Sequence, residues 1–300
     1  MHAKQTPNYV GYILVDRFVF TDFLGQGSWG SVYRARDILS HTRPECQKEY
    51  AVKCIPKSML TPEIMKFCTR EIFLHRTVSG TSPHVVSLKY TIQGKKHLYM
   101  VLDLCTRGDL AAALYYNYFP SNDEVIRKVF LQILDGVEAC HRKGVYHRDL
   151  KPENILIRRD GSACIADFGM ATDEETSAEF GVGSEPYMSP ESLNDGINHQ
   201  EYCPQQSDIW ALGIVLMNMV TGANPWDLAS PRNPSFRDYV NHRSSFFKYN
   251  YSMMSSSLNK LLQKVLHPSP RHRITIPKLR KEILSMKSFY SRRARNWSRP

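Results

Sequence analysis

The hydrophobic period of this chain changes near residue 105, and that change limits the folds open to it. Before it, short β-rich runs alternate with turns. Residues 18–36 alternate apolar and small side chains around a glycine cluster, which predicts two strands joined by a turn. Residues 37–49 are polar and contain Pro44, so they predict a loop. Tyr50–Ile55 is a third β-rich run, and His84–Ile92 with His97–Leu102 predicts a further strand pair around Gly94. One helix interrupts them. Thr61-Pro62-Glu63 supplies a capping hydroxyl, a proline for the first turn and an acid at the positive dipole end. Ile64, Phe67, Cys68 and Ile72 then fall on one face. After residue 105 the spacing turns helical, with helices predicted over 121–142, 207–220, 256–266 and 277–284. Strands followed by helices predict an α+β chain: a small β-rich lobe with one main helix, then a larger, mostly helical lobe. The expected boundaries are an N-terminal extension over 1–17, a domain over 18–285 that divides at 104/105, and a basic tail over 286–300. The stretch 225–255, with three prolines and many aromatics, has no clear assignment.

Composition narrows the function classes. No apolar run approaches the roughly 18 residues a membrane helix needs, and the longest, Ile209–Val220, carries Asn218. The first residues lack an apolar stretch for a signal peptide, and His2 stands where myristoylation needs glycine. No membrane association is expected. Seven cysteines without a Cys-x-x-Cys pair argue against a disulfide framework or a zinc module and for reduced thiols in an intracellular protein, cytoplasmic or nuclear. The net charge of +10 invites a nucleic-acid role. Half of that excess, however, lies in residues 287–300, which carry five basic residues and no acid. A solvated tail or a docking element explains it better than a nucleic-acid surface. A monomer is expected.

Chemistry concentrates in His147-Arg148-Asp149-Leu150-Lys151-Pro152-Glu153-Asn154, followed thirteen residues after Asn154 by Asp167-Phe168-Gly169. Asp149 is a candidate general base, and Lys151 can neutralise charge on a transferring phosphoryl group. Asn154 and Asp167 are hard oxygen donors suited to Mg²⁺ beside phosphate. A lone Asp or Asn in a loop is usually a turn residue; four in this order are not. His147 reads as a packed loop histidine. Upstream, Gly25-Gln26-Gly27-Ser28-Trp29-Gly30-Ser31-Val32 lets backbone amides approach phosphate oxygens. A similar motif opens dinucleotide folds, but there it leads into a helix. Here Val32-Tyr33-Arg34-Ala35 continues as a strand, and Ala51-Val52-Lys53 follows. Lys53 lies in an apolar run where a bare ammonium is costly. Glu71 falls on the apolar helix face, away from Lys66 and Arg70, and the two solve each other's burial problem by pairing. A surface glutamate is the alternative.

These segments resemble the eukaryotic-type protein kinases in type and spacing across residues 18–285, and Lys151-Pro152-Glu153-Asn154 resembles the serine/threonine branch. The resemblance implies a two-lobed protein-kinase fold that uses ATP and Mg²⁺ and phosphorylates serine or threonine in protein substrates. It implies that Lys53 and Glu71 pair beside the nucleotide phosphates. It places Leu24, Val32, Ala51 and Leu156 around adenine, Leu102 as gatekeeper, backbone groups of Asp103 and Cys105 on the base edge, and Asp109 near the ribose. It also implies that Ser184, in Gly183-Ser184-Glu185-Pro186-Tyr187-Met188-Ser189-Pro190-Glu191, contacts Asp149 and Lys151. Ser189 replaces the commoner alanine. Glu191 is expected to pair with Arg273, and Asp208 to brace the catalytic loop, a role compatible with a plain helix N-cap. Glu153 is expected to favour a basic residue before the acceptor. Phe180-Gly181-Val182-Gly183-Ser184, Asp208–Trp226 and the segment from Arg237 to Phe247 are similar to fungal kinases related to the negative regulator of meiosis. That implies nutrient or developmental signalling.

In the family, the residue matching Arg148 often pairs with an activation-loop phosphate. Residues 178–183 hold no hydroxyl, but Glu179 stands there. Glu179 is expected to substitute for the phosphate; Thr176 or Ser177 as a true phosphosite is the rival. Two other functions compete with an active enzyme. A pseudokinase scaffold would typically have lost Lys53, Asp149 or Asp167, and a nucleic-acid role would depend on the tail.

Overall fold

The early β-rich runs assemble into one antiparallel sheet. The computed structural model describes residues 9–27, 29–43, 47–116, 122–195 and 200–297, with side chains through residue 294. The chain divides into two units, Met1–Gly80 with Val86–Thr106, and Thr81–Val85 with Arg107–Pro300. The first unit holds β1 (Ile13–Leu14), β2 (Phe18–Gly27), β3 (Gly30–Asp37), β4 (Glu49–Pro56), α1 (Pro62–Val78), β5 (Leu88–Gln93) and β6 (His97–Asp103). The strands pair in the order β1-β2-β3-β4-β6-β5. The fifth strand starts later than its sequence predicts, at Leu88 rather than His84.

Register decides which side chains meet. Val32 pairs with Lys53 and Lys53 with Met100, while Ala51 pairs with Leu102. Directly opposed residues share a face, so these five point one way and their neighbours Tyr33, Val52 and Val101 point the other. The second face is a closed core of Phe18, Phe20, Tyr33, Ala35, Val52, Cys54, Tyr99 and Val101. The first face packs Ile55, Leu98 and Met100 against Cys68 of α1. Helix α1 begins as its sequence predicts: the Thr61 hydroxyl accepts from the Ile64 amide at 3.3 Å, and Pro62 sits in the first turn. Its inward stripe is Cys68, Glu71, His75 and Val78, with Ile64 half-buried. Phe67, expected on that stripe, is 48% exposed instead. It lies one residue, about 100° of helix turn, from Cys68, and Cys68 takes the inward position.

The second unit is helical around a small hairpin. It comprises α2 (Leu110–Tyr115), α3 (Asp123–Arg142), β7 (Ile155–Ile157), β8 (Ala163–Ile165), α4 (Pro190–Leu193), α5 (Pro204–Thr221), α6 (Pro234–Asn241), α7 (Phe246–Asn250), α8 (Ser256–Val265), α9 (Ile276–Ser285) and α10 (Arg292–Trp297). Helix α5 is apolar on all sides and is buried along nearly its whole length, as such helices must be. Its Asn218 is satisfied there: it accepts from the Tyr187 hydroxyl at 2.9 Å and donates to Asn224 Oδ1 at 2.7 Å. No helix among the described residues is long and apolar enough to cross a membrane.

The unassigned stretch 225–255 contains α6 and α7. Trp226 lies 5.1 Å from both Phe236 and Tyr239, Tyr239 lies 5.3 Å from Phe247, and the Tyr239 hydroxyl donates to the Leu266 carbonyl at 2.6 Å. The segment expected to be a solvated tail starts with packed residues. Phe289 and Tyr290 are buried, the Phe289 amide donates to Asp123 Oδ1 at 2.7 Å, and Arg127 lies over the Phe289 ring.

Candidate active site

The first unit contains a built cationic site. Lys53 Nζ lies 2.6 Å from Glu71 Oε1, and the two side chains are only 11% and 4% exposed. Strand β4 delivers the ammonium and the inward stripe of α1 delivers the carboxylate, so each charge has company in an apolar setting. Val32, Ala51 and Leu102 share the sheet face of Lys53 and are half-buried, whereas Leu24 sits at a register shift of β2 and is exposed. In the glycine segment, a side chain at Gly30 would collide with the Cys54 carbonyl. Close approach of two strands therefore requires this glycine. The Ser31 hydroxyl donates to Gln26 Oε1 at 2.8 Å, tying the segment across the hairpin next to Gly25 and Gly27. Ser28 lies outside the described residues. The Asp103 amide donates to the Ser87 carbonyl at 3.1 Å, and Cys105 follows the strand, half-buried. An adenine face and a phosphate cradle both fit these residues.

The second unit links Asp149, Lys151 and Asn154 in one network. Asp149 Oδ2 lies 2.9 Å from Lys151 Nζ and accepts from Asn154 Nδ2 at 3.0 Å. Asn154 Nδ2 also donates to the Asp149 carbonyl at 2.8 Å. Two acceptors on that side fix the amide's orientation and turn its Oδ1 away from Asp149. Asp149 Oδ1 is buried and has no hydrogen-bond partner among the described residues. A buried carboxylate oxygen without a donor is costly unless a substrate supplies one. Asp167 is exposed, and its Oδ1 accepts from the Gly169 amide at 3.2 Å. Asn154 and Asp167 are hard oxygen donors, too few to hold Mg²⁺ without phosphate oxygens, which is how Mg²⁺ usually binds. The residues present fit that ion.

The loop carries backbone strain and is held by one aspartate. Arg148 and Asp167 have φ of 63° and 59°, conformations that bulky residues keep only when their surroundings impose them. Asp208, on α5, imposes one of them. It accepts from the His147 amide, the Arg148 amide and His141 Nε2, each at 2.8 Å. Helix α5 begins at Pro204 with Cys203 as its cap, so Asp208 lies inside the helix and is not its N-cap. His147 is buried: its Nδ1 accepts from the Asp149 amide and its Nε2–H donates to the Ala166 carbonyl at 2.9 Å. Both ring nitrogens are thereby engaged, which leaves none for chemistry. Leu156 lies half-buried in β7 opposite Cys164. Asp109 caps α2, accepting from the Ala112 amide at 2.7 Å, so one of its oxygens is committed to the helix.

The family model for the protein kinase domain matches residues 18–284. The chain belongs to the protein kinase family. Its relatives include the fission yeast negative regulator of sexual conjugation and meiosis, 36% identical over 96% of this chain and 64% of the relative. The fission yeast serine/threonine-protein kinase ksp1 is 34% identical over 88% of this chain and 55% of its own length. A rice CBL-interacting protein kinase, number 26, is 32% identical over 92% and 53%. The chain thus spans between half and two-thirds of the length of these curated relatives. The fungal resemblance read from residues 180–247 agrees with the first two.

The kinase activation segment runs without a break from Asp167 to Glu191. Lys151 Nζ donates to Ser184 Oγ at 2.7 Å, so Lys151 links Ser184 to Asp149. The expected Glu191–Arg273 pair is bidentate, at 2.5 and 2.6 Å, and fully buried. Arg273 also donates to the carbonyls of His267 and Gln206 and lies over Trp210. Arg148 Nη1 meets Glu179 Oε2 at 2.7 Å, while Arg148 Nε donates to the Met170 carbonyl at 2.7 Å. Gly183 has φ of 109°, and a side chain there would strike the Arg148 carbonyl. Of the two rival phosphosites, Thr176 is exposed, whereas Ser177 is 1% exposed, within 3.4 Å of Arg148 Nη1, and pairs through its backbone with Tyr202. The Tyr202 hydroxyl, which burial above all keeps protonated, donates to the Glu179 carbonyl at 3.2 Å. Tyr202 has no local motif to announce it; only the fold brings it to the segment.

Proposed function

We propose that the chain transfers the γ-phosphoryl group of ATP to serine or threonine hydroxyls of protein substrates. The observation that carries this reading is the Asp149 carboxylate, with one oxygen held by Lys151 and Asn154 and the other buried without a donor. An incoming hydroxyl donates to that oxygen. As the hydroxyl oxygen bonds to the γ-phosphorus, its proton passes to Asp149 Oδ1 and the bond to the β–γ bridging oxygen breaks, releasing ADP. The Lys151 ammonium neutralises charge on the transferring group. Lys53, held by Glu71, is the cation that the first unit offers to phosphate oxygens. Asn154 and Asp167 would hold Mg²⁺, which when bound supplies further neutralisation of phosphate charge.

Support for a serine or threonine acceptor comes from Lys151 and its partner Ser184, and from the relatives named as serine/threonine kinases. A matched pair of peptides differing only in serine or tyrosine at the acceptor tests it. Label from γ-labelled ATP is expected on the serine peptide. Label only on the tyrosine peptide, or on neither, defeats the reading.

The reading extends to regulation and setting. Glu179 stands in for an activating phosphate, supported by its 2.7 Å pair with Arg148 and by the burial of Ser177. The protein acts as a monomer in nutrient or developmental signalling, in the cytoplasm or nucleus. The name of the fission yeast relative, a regulator of conjugation and meiosis, supports the developmental setting.

A further inference from the structure

The basic residues of α9 fall into two groups. Arg280 faces α3, where Asp135 and Glu138 hold it at 2.6 and 2.8 Å. Lys278 and Lys281, one turn apart, are exposed and line a groove of about 470 Å³ with Lys264, His272, Ile274 and Glu282. Among the described residues, neither Lys278 nor Lys281 has an ion pair. Glu282, the acid in the groove lining, is already 2.6 Å from Lys264. Both partners of that pair are about half exposed, so the pair is weak, and an incoming carboxylate can compete for Lys264. The groove therefore presents more positive than negative charge.

Its shape and lining suit one class of partner. Its lining on α9, from Lys278 to Ser285, runs about 10 Å along the helix, the span of about three residues of extended peptide. Its buried apolar residue, Ile274, can take one aliphatic side chain between acids. Among its lining residues His272 alone carries a ring and none is Phe, Tyr or Trp, so it offers little of the stacking platform that single-stranded nucleic acid uses.

We propose that this groove is a docking site for an acidic segment of a partner protein, with carboxylates meeting Lys278 and Lys281 and an aliphatic residue over Ile274. The proposal does not rest on the catalytic reading. It is tested with the full chain and a fluorescein-labelled Glu-Glu-Leu-Glu-Glu peptide, read by anisotropy at low salt. Saturable binding is expected, weakened at least about tenfold by Lys278→Glu with Lys281→Glu. Arg292→Glu with Arg293→Glu, which changes net charge equally but lies in the tail, is expected to leave binding unchanged. Because both lysines are exposed, the groove variant is expected to keep its thermal midpoint and its peptide phosphorylation. Three results overturn the proposal: no binding up to about millimolar peptide, equal losses in the two variants, or tighter binding by a single-stranded oligonucleotide that depends on the same two lysines.

Discussion

Replacing Glu179 with alanine isolates the contact that orders the activation segment. The Arg148 side chain is 4% exposed, so its guanidinium depends on protein partners. Among the described residues these are Glu179 Oε2 and the Met170 carbonyl, both at 2.7 Å, Ser177 Oγ at 3.4 Å, and the neighbouring Tyr202 hydroxyl. The substitution removes the only charged one among them. A hydrogen bond between charged groups contributes about 1.5–3 kcal/mol. Glu179 is 46% exposed, so water replaces part of that, leaving about 1–2 kcal/mol. Other contacts stay, including the Ser177–Tyr202 backbone pairing and the Gly181 amide on the Ser192 carbonyl at 2.9 Å. The ordered segment should therefore lose about 5- to 30-fold in relative population rather than collapse. The assay is kcat/KM on a serine peptide, with bacterially made protein shown by mass spectrometry to carry no phosphate. Wild type is expected to be active, Glu179→Ala reduced within that range, and Glu179→Gln intermediate, since it keeps an oxygen acceptor without the charge. Unchanged kcat/KM in Glu179→Ala would refute the reasoning. So would an inactive wild type that gains activity when Ser177 or Thr176 is phosphorylated.

Further expectations follow from other contacts. Arg273→Ala leaves Glu191 buried and unpaired; the expected cost is about 3–5 kcal/mol, seen as a thermal midpoint lower by about 10 °C, and an unchanged midpoint contradicts it. Gly183→Ala meets both the 109° φ and the Arg148 carbonyl, so kcat/KM should fall at least about tenfold in a protein that still melts cooperatively. Burial first, and then neighbouring positive charge, lowers the titration of His97 and His267. The unfolded chain therefore binds their protons first, so stability is full above about pH 6.5 and declines below it. Further acidification adds the loss of Asp37, whose carboxyl the Arg17 hydrogen bond holds below its ordinary range. Melting curves from pH 8 to pH 5 check the histidine part and curves carried on to pH 3 the Asp37 part; a midpoint that rises on acidification is the opposite of what is expected.

The site was legible where its residues are neighbours in sequence. Asp149, Lys151 and Asn154 lie within six residues, and their mutual hydrogen bonds need little beyond a tight loop. The Lys53–Glu71 pair was legible for another reason. Each is a charge on an apolar surface, and burial leaves such charges few options other than each other. What could not be read depends on distant partners. Asp208 was expected to brace the loop, but its place inside α5 follows from Pro204 at the helix start. Helices α6 and α7 were hidden because their stability comes from rings meeting around Trp226, not from a clean period. Phe67 was placed on the inward stripe because strict spacing admits both it and Cys68, and only packing against the sheet chooses. The packed start of the tail likewise depends on Asp123 and Arg127, more than 150 residues away.

The central claim is that Asp149 serves as the base in a working phosphotransferase. Its most direct measurement is the single-turnover rate of phosphoryl transfer from γ-labelled ATP to a serine peptide, for wild type and Asp149→Asn. ATP affinity is followed in parallel by fluorescence titration. The account predicts that Asp149→Asn binds ATP within about twofold of wild type and transfers phosphate at least about 100-fold more slowly. Equal transfer rates in the two proteins, or no transfer by wild type despite normal ATP binding, would contradict it.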